Sequence, residues 1–231
     1  MSARGVVAFV STLVMLGAGV VVADRVVAAA AERRAVTAVQ ENLDVTGTPT
    51  VTIDGFPFLT QVLAGSLDHV TGSVDGVTLE GGLTATDVTF EAYGVTTAQP
   101  STVSSGTVEG TLPTASVEQV VAEQTDLDVT LATQADAMVA TGSVLGVELS
   151  VALTPRVQDG RLLVDVGTVS LGGLTIAVDD LPDRVAGSLQ GLEIPVEGLP
   201  DGMTLDAVSV QPEGVRITAT GEDVVLATTT G

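Results

Sequence analysis

Apolar and polar positions divide the chain into a helical amino-terminal part and a long remainder that alternates in the manner of β-strands. Residues 6–23 form an 18-residue stretch without a charged side chain. As a helix this stretch would extend roughly 27 Å, close to the ~30 Å hydrocarbon core of a bilayer. Residues 24–43 continue with apolar positions along one side of a helix. The pattern therefore predicts an N-terminal hydrophobic helix followed by a second helical segment.

The uncharged stretch has two interpretations, and both imply export. Val21, Val22 and Ala23 form an acceptable signal-peptidase site, which favours a cleaved signal peptide. The length of the stretch and the Ala-rich helix after it favour an uncleaved membrane anchor. Residues 1–23 are therefore predicted to be a signal peptide or an N-terminal membrane anchor. The remainder is predicted to lie in the cell envelope or a periplasm-like space, either secreted or anchored to the outer face of the cytoplasmic membrane.

Strand signals dominate the rest of the chain. Strands are predicted at residues 48–53 and from Val70 to Thr97, where apolar and polar residues alternate. The pair Asp159-Gly160 predicts a two-residue hairpin turn. A last hairpin is predicted from strands at residues 205–210 and 215–220.

Three short helices are predicted between these strands. The first spans residues 57–64, has one apolar side and ends at Gly65. The second spans about residues 116–124 and begins with a Ser-x-x-Gln capping box. The third spans about residues 181–190 and follows Asp180, which can cap it. The predicted class is therefore α+β and β-rich.

Domain organisation follows from the absence of breaks in this pattern. No linker rich in Pro or Ser and no block of like charge divides residues 24–227, so they are predicted to form a single domain. Residues 228–231 are predicted to be a frayed tail.

Composition supports the fold class and removes many chemistries. The chain contains 41 Val and 31 Thr, which favour strands, and 26 Gly and 9 Pro, which favour turns. It has neither Cys nor Lys. Thiol nucleophiles, disulfides, Cys-ligated zinc, Schiff-base lysines and phosphate-loop lysines are therefore excluded.

The balance of charge excludes nucleic acid as a partner. The chain carries 29 carboxylates against 8 Arg, a net charge of -21, so a phosphate backbone is repelled. Five aspartates could offer oxygen ligands to a divalent cation: Asp126, Asp128, Asp179, Asp180 and Asp201. None of them follows the spacing of a calcium-binding loop, so neither a metal nor a cofactor is predicted.

Catalytic patterns are weak. No Ser lies in a G-x-S-x-G elbow. His69 provides the one imidazole, and it is expected to have a solvated or hydrogen-bonded structural role. Sugar-cleaving clefts usually offer aromatic platforms, whereas this chain has five aromatic side chains in all. The chain is therefore predicted not to be an enzyme.

The most distinctive local feature is a pair of phenylalanines, Phe56 and Phe58, beside a turn and on the first short helix. Two hypotheses follow from it. The helix could plug the core of a curved sheet, which is the common fate of an apolar stripe. It could also line the mouth of an apolar cavity between helix and sheet. One helix can do both.

These residues resemble a known family. The segment IDGFPFLTQVLAG at residues 53–65 and the block LPDGMTLDAVSVQPEGVRITATGEDVVL at 199–226 are similar to an actinobacterial family of exported phospholipid-binding domains associated with lipomannan elongation and maintenance. The resemblance covers about residues 24–227. It implies a fold like that of tubular lipid-binding proteins, in which a strongly curved antiparallel sheet wraps short helices and leaves an apolar tunnel.

The function that this resemblance implies is non-enzymatic binding or transfer of a phospholipid or other amphiphile in the cell envelope. It also implies that apolar side chains line the tunnel. The candidates for that wall are Phe56, Phe58, Leu59, Val62, Leu63, Phe90 and Tyr93.

A lipid headgroup with negative charge would need a cation in so acidic a chain. Arg184, at the start of the third predicted helix, is the preferred candidate, and Arg156, Arg161 and Arg216 are the alternatives. If residues 6–23 are not cleaved, the cytoplasmic membrane is a further partner.

Two other functions stay open at this stage. A cell-surface structural or interaction module would also be rich in Thr, Val and Gly. A membrane-anchored scaffold for envelope-biosynthesis enzymes would keep the helices without needing a cavity.

Overall fold

The computed structural model describes residues 3–79, 82–124, 129–144, 147–180, 192–194, 199 and 201–226. In the first helix, side chains are described from residue 20 onward. In chain order the elements are α1 (Ala3–Asn42), β1 (Val45–Thr46), β2 (Thr50–Asp54), α2 (Phe58–Ala64), β3 (Ser66–Thr78), β4 (Thr84–Thr96), β5 (Ser101–Pro113), α3 (Thr114–Gln124), β6 (Val129–Gln134), β7 (Ala137–Val144), β8 (Val147–Gln158), β9 (Arg161–Leu171), β10 (Leu174–Ala177), a 3₁₀ turn (Val178–Asp180), β11 (Leu192–Ile194), β12 (Met203–Gln211) and β13 (Gly214–Leu226).

Helix α1 is unbroken over 40 residues and passes through the predicted cleavage point. The helix predicted at 24–43 is therefore confirmed as the second half of a longer one. Among the residues that the structure describes, no helix is both long enough and apolar enough to cross a membrane. Most of the uncharged stretch precedes the first described side chain at residue 20, so its role as signal peptide or anchor stays a prediction.

Thirteen described strands form two antiparallel sheets. The first sheet has the order β1-β3-β4-β5-β13-β12, and β2 also pairs with β3. The second sheet has the order β10-β9-β8-β7-β6, and β11 also pairs with β9. The predicted hairpin turn joins β8 to β9, where Asp159 and Gly160 have φ angles of 52° and 73°. Two consecutive positive φ values are what a type I′ turn requires, so this prediction is confirmed.

The β-rich α+β class with antiparallel sheets is confirmed. The described strands form two open sheets rather than the single, strongly curved sheet that the resemblance implied. Helix α1 contacts β2 and α2, and α2 contacts β3, so both helices lie at one end of the first sheet. The reason is topological: β2, α2 and β3 are consecutive along the chain, which leaves α2 next to the strands that flank it.

Two clusters of buried side chains lie at opposite ends of the first sheet. The first joins the helices to the sheet through Ala28, Ile53 and Phe58. The second joins the two sheets, because Leu205 of β12 packs with Leu162 of β9.

Two predicted helix starts differ from those observed. Pro57 has extended backbone angles and precedes α2 instead of beginning it. Helix α3 begins at Thr114, and the Ser116 hydroxyl accepts a 2.7 Å hydrogen bond from the backbone N–H of Thr84. The predicted capping box is therefore wrong, because Ser116 lies inside the first turn and serves a neighbouring strand. The helix predicted at 181–190 lies outside the described residues.

Candidate functional site

One side of the first sheet is apolar across six strands, and we call it the apolar face. Directly paired residues form one row: Val51, Gly72, Phe90, Val108, Ala219 and Leu205. The neighbouring row on the same side consists of Ile53, Val70, Ala92, Gly106, Gly221 and Met203. Paired residues share one side of a sheet, and residues two apart along a strand do so as well. Neither row contains a polar side chain.

In its central rows the other side of the same sheet, the polar face, carries hydroxyl and carboxylate groups, and beyond them on this side lies the buried pair Val103 and Val224. One row consists of Thr52, Thr71, Glu91, Thr107, Thr220 and Thr204, and the next includes Thr50, Ser73, Thr89, Glu109 and Thr218. Over these rows the sheet therefore separates two environments, with period-two alternation as the physical cause.

The two buried clusters cover the ends of the apolar face. Ile53 belongs to the cluster beside α1, and Ala219 belongs to the cluster beside the second sheet. Phe90, Ala92 and Val108 lie between them and are only half-buried. The middle of the apolar face is therefore an apolar surface that neither buried cluster covers.

Gly72 determines how Phe90 lies on this face. A Cβ atom added at Gly72 would stand 2.3 Å from a carbon of the Phe90 ring. The absence of a side chain on β3 therefore lets the ring lie directly over the neighbouring backbone. Substitution of Gly72 would displace the ring from the row.

One buried carboxylate of α1 binds the first turn of helix α2. Asp24 is 1 % exposed, and it accepts hydrogen bonds from the backbone N–H groups of Phe58 at 3.1 Å and Leu59 at 2.9 Å. Arg25 donates to the same carboxylate at 3.0 Å. Asp24 thus caps α2 from a different helix, where Pro57 provides no side-chain cap.

Residues 22–220 match a family model described as LmeA-like phospholipid-binding. The chain belongs to the LmeA-like phospholipid-binding family. No curated protein and no solved structure gives a significant match. The resemblance inferred from residues 53–65 and 199–226 is therefore confirmed, and family membership supports lipid binding in general with a phospholipid as partner.

In this LmeA-like domain the apolar positions of α2 do not all point the same way. Phe58 is 4 % exposed and packs in the cluster with Ala28 and Ile53. Leu59 and Val62 are partly exposed, and Leu63 is 88 % exposed. Phe58 therefore has the core role of the first hypothesis, while the outward side of the helix is available for contact.

Gln61 takes the inward position that the apolar pattern would have given to a hydrophobic residue. It is 6 % exposed, donates to the carbonyl of Asp54 at 3.1 Å and accepts from the backbone N–H of Asp68 at 2.8 Å. Both ends of the amide are satisfied, which removes the usual cost of burying it. Sequence reasoning missed Gln61 and Asp24, because the partners of each become neighbours only in the fold.

The structure separates the remaining wall candidates. Phe56 lies before α2, is 59 % exposed and has the Arg25 guanidinium 5.4 Å from its ring centroid. Phe90 lies on the apolar face, whereas Tyr93 lies on the polar face three residues along the same strand. The seven candidates therefore fall into the α2 region, the apolar face and the polar face.

Tyr93 belongs to a polar cluster with His69. The two rings stack with centroids 4.5 Å apart, and the Tyr93 hydroxyl donates to Glu91 at 2.6 Å. His69 places Nδ1 3.0 Å from Asp54 and Nε2 2.8 Å from Glu91. Hydrogen bonds from Tyr93 and then His69 hold the pKa of Glu91 below its ordinary value. The hydrogen-bonded role expected for His69 is what the structure shows.

The candidate cations occupy several different places. Arg184 lies outside the described residues. Arg156 pairs with Asp165 at 2.6 Å, and Arg216 pairs with Glu109 at 2.5 Å on the polar face. Arg161 is the first residue of β9. Among the described residues no three His, Cys, Asp or Glu side chains are placed to hold a metal ion.

Two open grooves are present in the described part of the chain. One, of about 460 Å³, lies between α1 and β2 and is lined by residues such as Val36 and Val51. The other, of about 510 Å³, lies on the polar face around Thr71 and Glu91. Neither groove is an enclosed tunnel, so the tunnel of the family resemblance stays a prediction.

Asp24 makes the attachment of α2 sensitive to acid. Burial raises the pKa of Asp24. The hydrogen bonds from the N–H groups of Leu59 and Phe58, together with Arg25, lower this pKa by more, so it lies below its ordinary value of 3.8. The stabilisation is therefore fully present above that value and is lost as pH falls through the lower pKa of the folded state. Asp24→Asn should lower the thermal unfolding midpoint at neutral pH.

The measurement is the unfolding midpoint of wild type and variant between about pH 2 and pH 7, the range that brackets carboxyl titration. The difference between the two proteins should narrow as pH falls through the pKa of Asp24. Asp136→Asn, at an exposed turn, is the control and should show no such narrowing. A constant difference for Asp24→Asn across this range would contradict an ionised cap.

Proposed function

We propose that this domain binds a phospholipid or similar amphiphile without covalent chemistry, and that the acyl chains lie on the apolar face. The observation that carries the proposal is the pair of apolar rows, whose middle residues Phe90, Ala92 and Val108 stay half-buried. Each buried CH₂ contributes about 0.8 kcal/mol, so two acyl chains need few polar contacts to bind tightly. Family membership supports the same class of ligand.

The finer form of the proposal is a carrier. The apolar face would form one wall of a tunnel, and the domain would move lipid within the cell envelope after export by residues 1–23. The aliphatic composition of the wall supports this role, because Val, Ala and Met accept acyl chains of varied shape. Arg184 remains the proposed contact for a negatively charged headgroup.

A non-enzymatic role agrees with the polar groups that are described. Both ring nitrogens of His69 face carboxylates, so neither is directed at a hydroxyl nucleophile. The family description likewise names binding and no reaction.

Native mass spectrometry of the protein purified from a producing cell tests the proposal. We expect an additional mass that dissociates as intact phospholipid, together with uptake of a fluorescent phospholipid by delipidated protein. A lipid-free mass combined with no uptake would contradict lipid binding and favour the scaffold or surface-module hypothesis. Extracted lipid without exchange between vesicles would support binding and contradict transfer.

A further inference from the structure

Exposed apolar side chains surround the place where α1 joins the domain. We call this set the junction patch: Val20, Val21, Val22, Phe56, Leu59 and Leu63. The two parts lie together because Asp24 of α1 binds the first turn of α2. Single exposed hydrophobic residues are ordinary, but a group at one junction marks an interaction surface.

The segments that carry the junction patch contain few charges for so acidic a chain, and the exposed carboxylates Asp54 and Asp68 border them beside Gly55. Residues 5–23 and residues 55–67 carry no charged side chain, although the whole chain has a net charge of -21. Asp24 is buried and paired with Arg25, so its negative charge does not face outward unopposed. An anionic surface is therefore repelled less at the patch than over the rest of the protein.

One cation completes the patch. The Arg25 side chain is 47 % exposed, lies against the Phe56 ring and donates to the Gly55 carbonyl at 2.8 Å. A guanidinium next to aromatic and aliphatic side chains is the combination that suits the boundary between lipid headgroups and acyl chains. The sequence places this boundary directly after the uncharged stretch that is long enough to span a bilayer core.

We propose that the junction patch docks on the surface of a phospholipid bilayer, with Leu59, Leu63 and Phe56 in the interfacial region and Arg25 at lipid phosphate. A second copy of the chain fits this surface less well. Stable protein interfaces use roughly 20–30 residues on each side, and the patch consists of six side chains on one turn and two helix segments. The proposal is separate from the lipid site on the apolar face, since it concerns an intact membrane.

The absence of Trp from the chain permits a direct test. In the full chain, Leu63→Trp and Leu174→Trp each introduce a single reporter at an exposed leucine, 88 % and 75 % exposed. Leu174 lies on β10 in the second sheet beside the exposed Leu171 and Ile176, so it is the matched control for an exposed apolar group away from the junction. Each variant is mixed with vesicles of phosphatidylcholine and phosphatidylglycerol that carry brominated acyl chains, which quench Trp on contact.

We expect the residue-63 reporter to shift its emission to the blue and to be quenched several-fold more than the residue-174 reporter. Phe56→Trp should behave like Leu63→Trp. Equal and weak quenching at both positions would overturn the proposal. A blue-shifted emission of the residue-63 reporter without vesicles, together with a doubled mass in light scattering, would show that a second copy of the chain covers the patch. That result would also overturn the docking proposal.

Lipid bound inside the domain must be distinguished from docking. Protein is therefore separated from vesicles and measured again. Quenching that disappears with the vesicles supports docking, whereas quenching retained by vesicle-free protein reports a captured lipid and overturns the docking assignment. If docking fails but the protein retains lipid, the docking proposal is overturned and the proposed lipid-binding function stands. If the protein docks but retains no lipid, the docking proposal stands and the proposed lipid-binding function is contradicted.

Discussion

Val108→Asp is expected to weaken phospholipid binding by about 10- to 100-fold, because a carboxylate in contact with acyl chains must lose its water or take up a proton. Val108 lies in the middle of the apolar face, between Phe90 of β4 and Ala219 of β13. Equilibrium titration with a fluorescent phospholipid measures the loss. Circular dichroism at the same concentration verifies that the strands are retained.

Thr107→Asp is the matched control for this substitution. It introduces the same charge one residue earlier on β5, but its side chain points to the polar face beside Glu91 and Thr220. We expect its affinity to stay within about twofold of wild type, as for a surface substitution. Val108→Thr keeps the shape of the side chain and should show an intermediate loss. An equal loss for Val108→Asp and Thr107→Asp would remove the apolar face from the binding site.

Phe58→Ala is expected to lower the free energy of unfolding by about 3–5 kcal/mol, the usual cost of removing a buried aromatic ring. Phe58 is 4 % exposed and connects Ala28 of α1 with Ile53 of β2. Chemical denaturation followed by circular dichroism gives the change. The loss includes both the missing transfer free energy and the cavity that remains between helix and sheet.

Phe56→Ala is the control, since it removes the same ring two residues earlier. Phe56 is 59 % exposed and contacts the Arg25 guanidinium. We expect a cost below about 1 kcal/mol, which corresponds to an exposed cation–π contact and little burial. Similar costs for both variants would show that Phe58 does not hold α1 and α2 to the sheet.

Local elements could be predicted from the sequence because their causes are local. The Asp159-Gly160 turn needs two positive φ values, and those two residue types supply them. Gly65 ends α2 in the left-handed conformation, with its N–H donated to the Val62 carbonyl at 3.1 Å. These features depend on neighbours within a few residues.

The composition of the two sheet faces required long-range pairing. Strand β13 pairs with β5, so Ala219 meets Val108 across more than one hundred residues of chain. Alternation predicts two sides for each strand but does not say which strands become neighbours. The single curved sheet was implied by the family resemblance, whereas the described strands form two sheets.

The buried polar contacts could not be predicted from the sequence either, because their partners become neighbours only in the fold. In the sequence, Asp24 is only the first charged residue after an uncharged stretch, but in the structure it binds backbone N–H groups more than thirty residues away. The sequence likewise places Gln61 on the polar side of a helix, but in the structure its side chain is buried. In both cases backbone groups without a partner in their own element bind a side chain, which comes from more than thirty residues away for Asp24 and from seven residues away for Gln61.

The continuity of α1 has a consequence for the predicted signal peptide. The bond between Ala23 and Asp24 lies inside a helix, and Asp24 is buried against α2. A signal peptidase needs an extended and reachable segment, so the predicted cut at this bond would have to come before α1 and α2 assemble. Under that prediction, processing and folding compete for the same residue, and rapid formation of the Asp24 contacts would leave residues 1–23 attached.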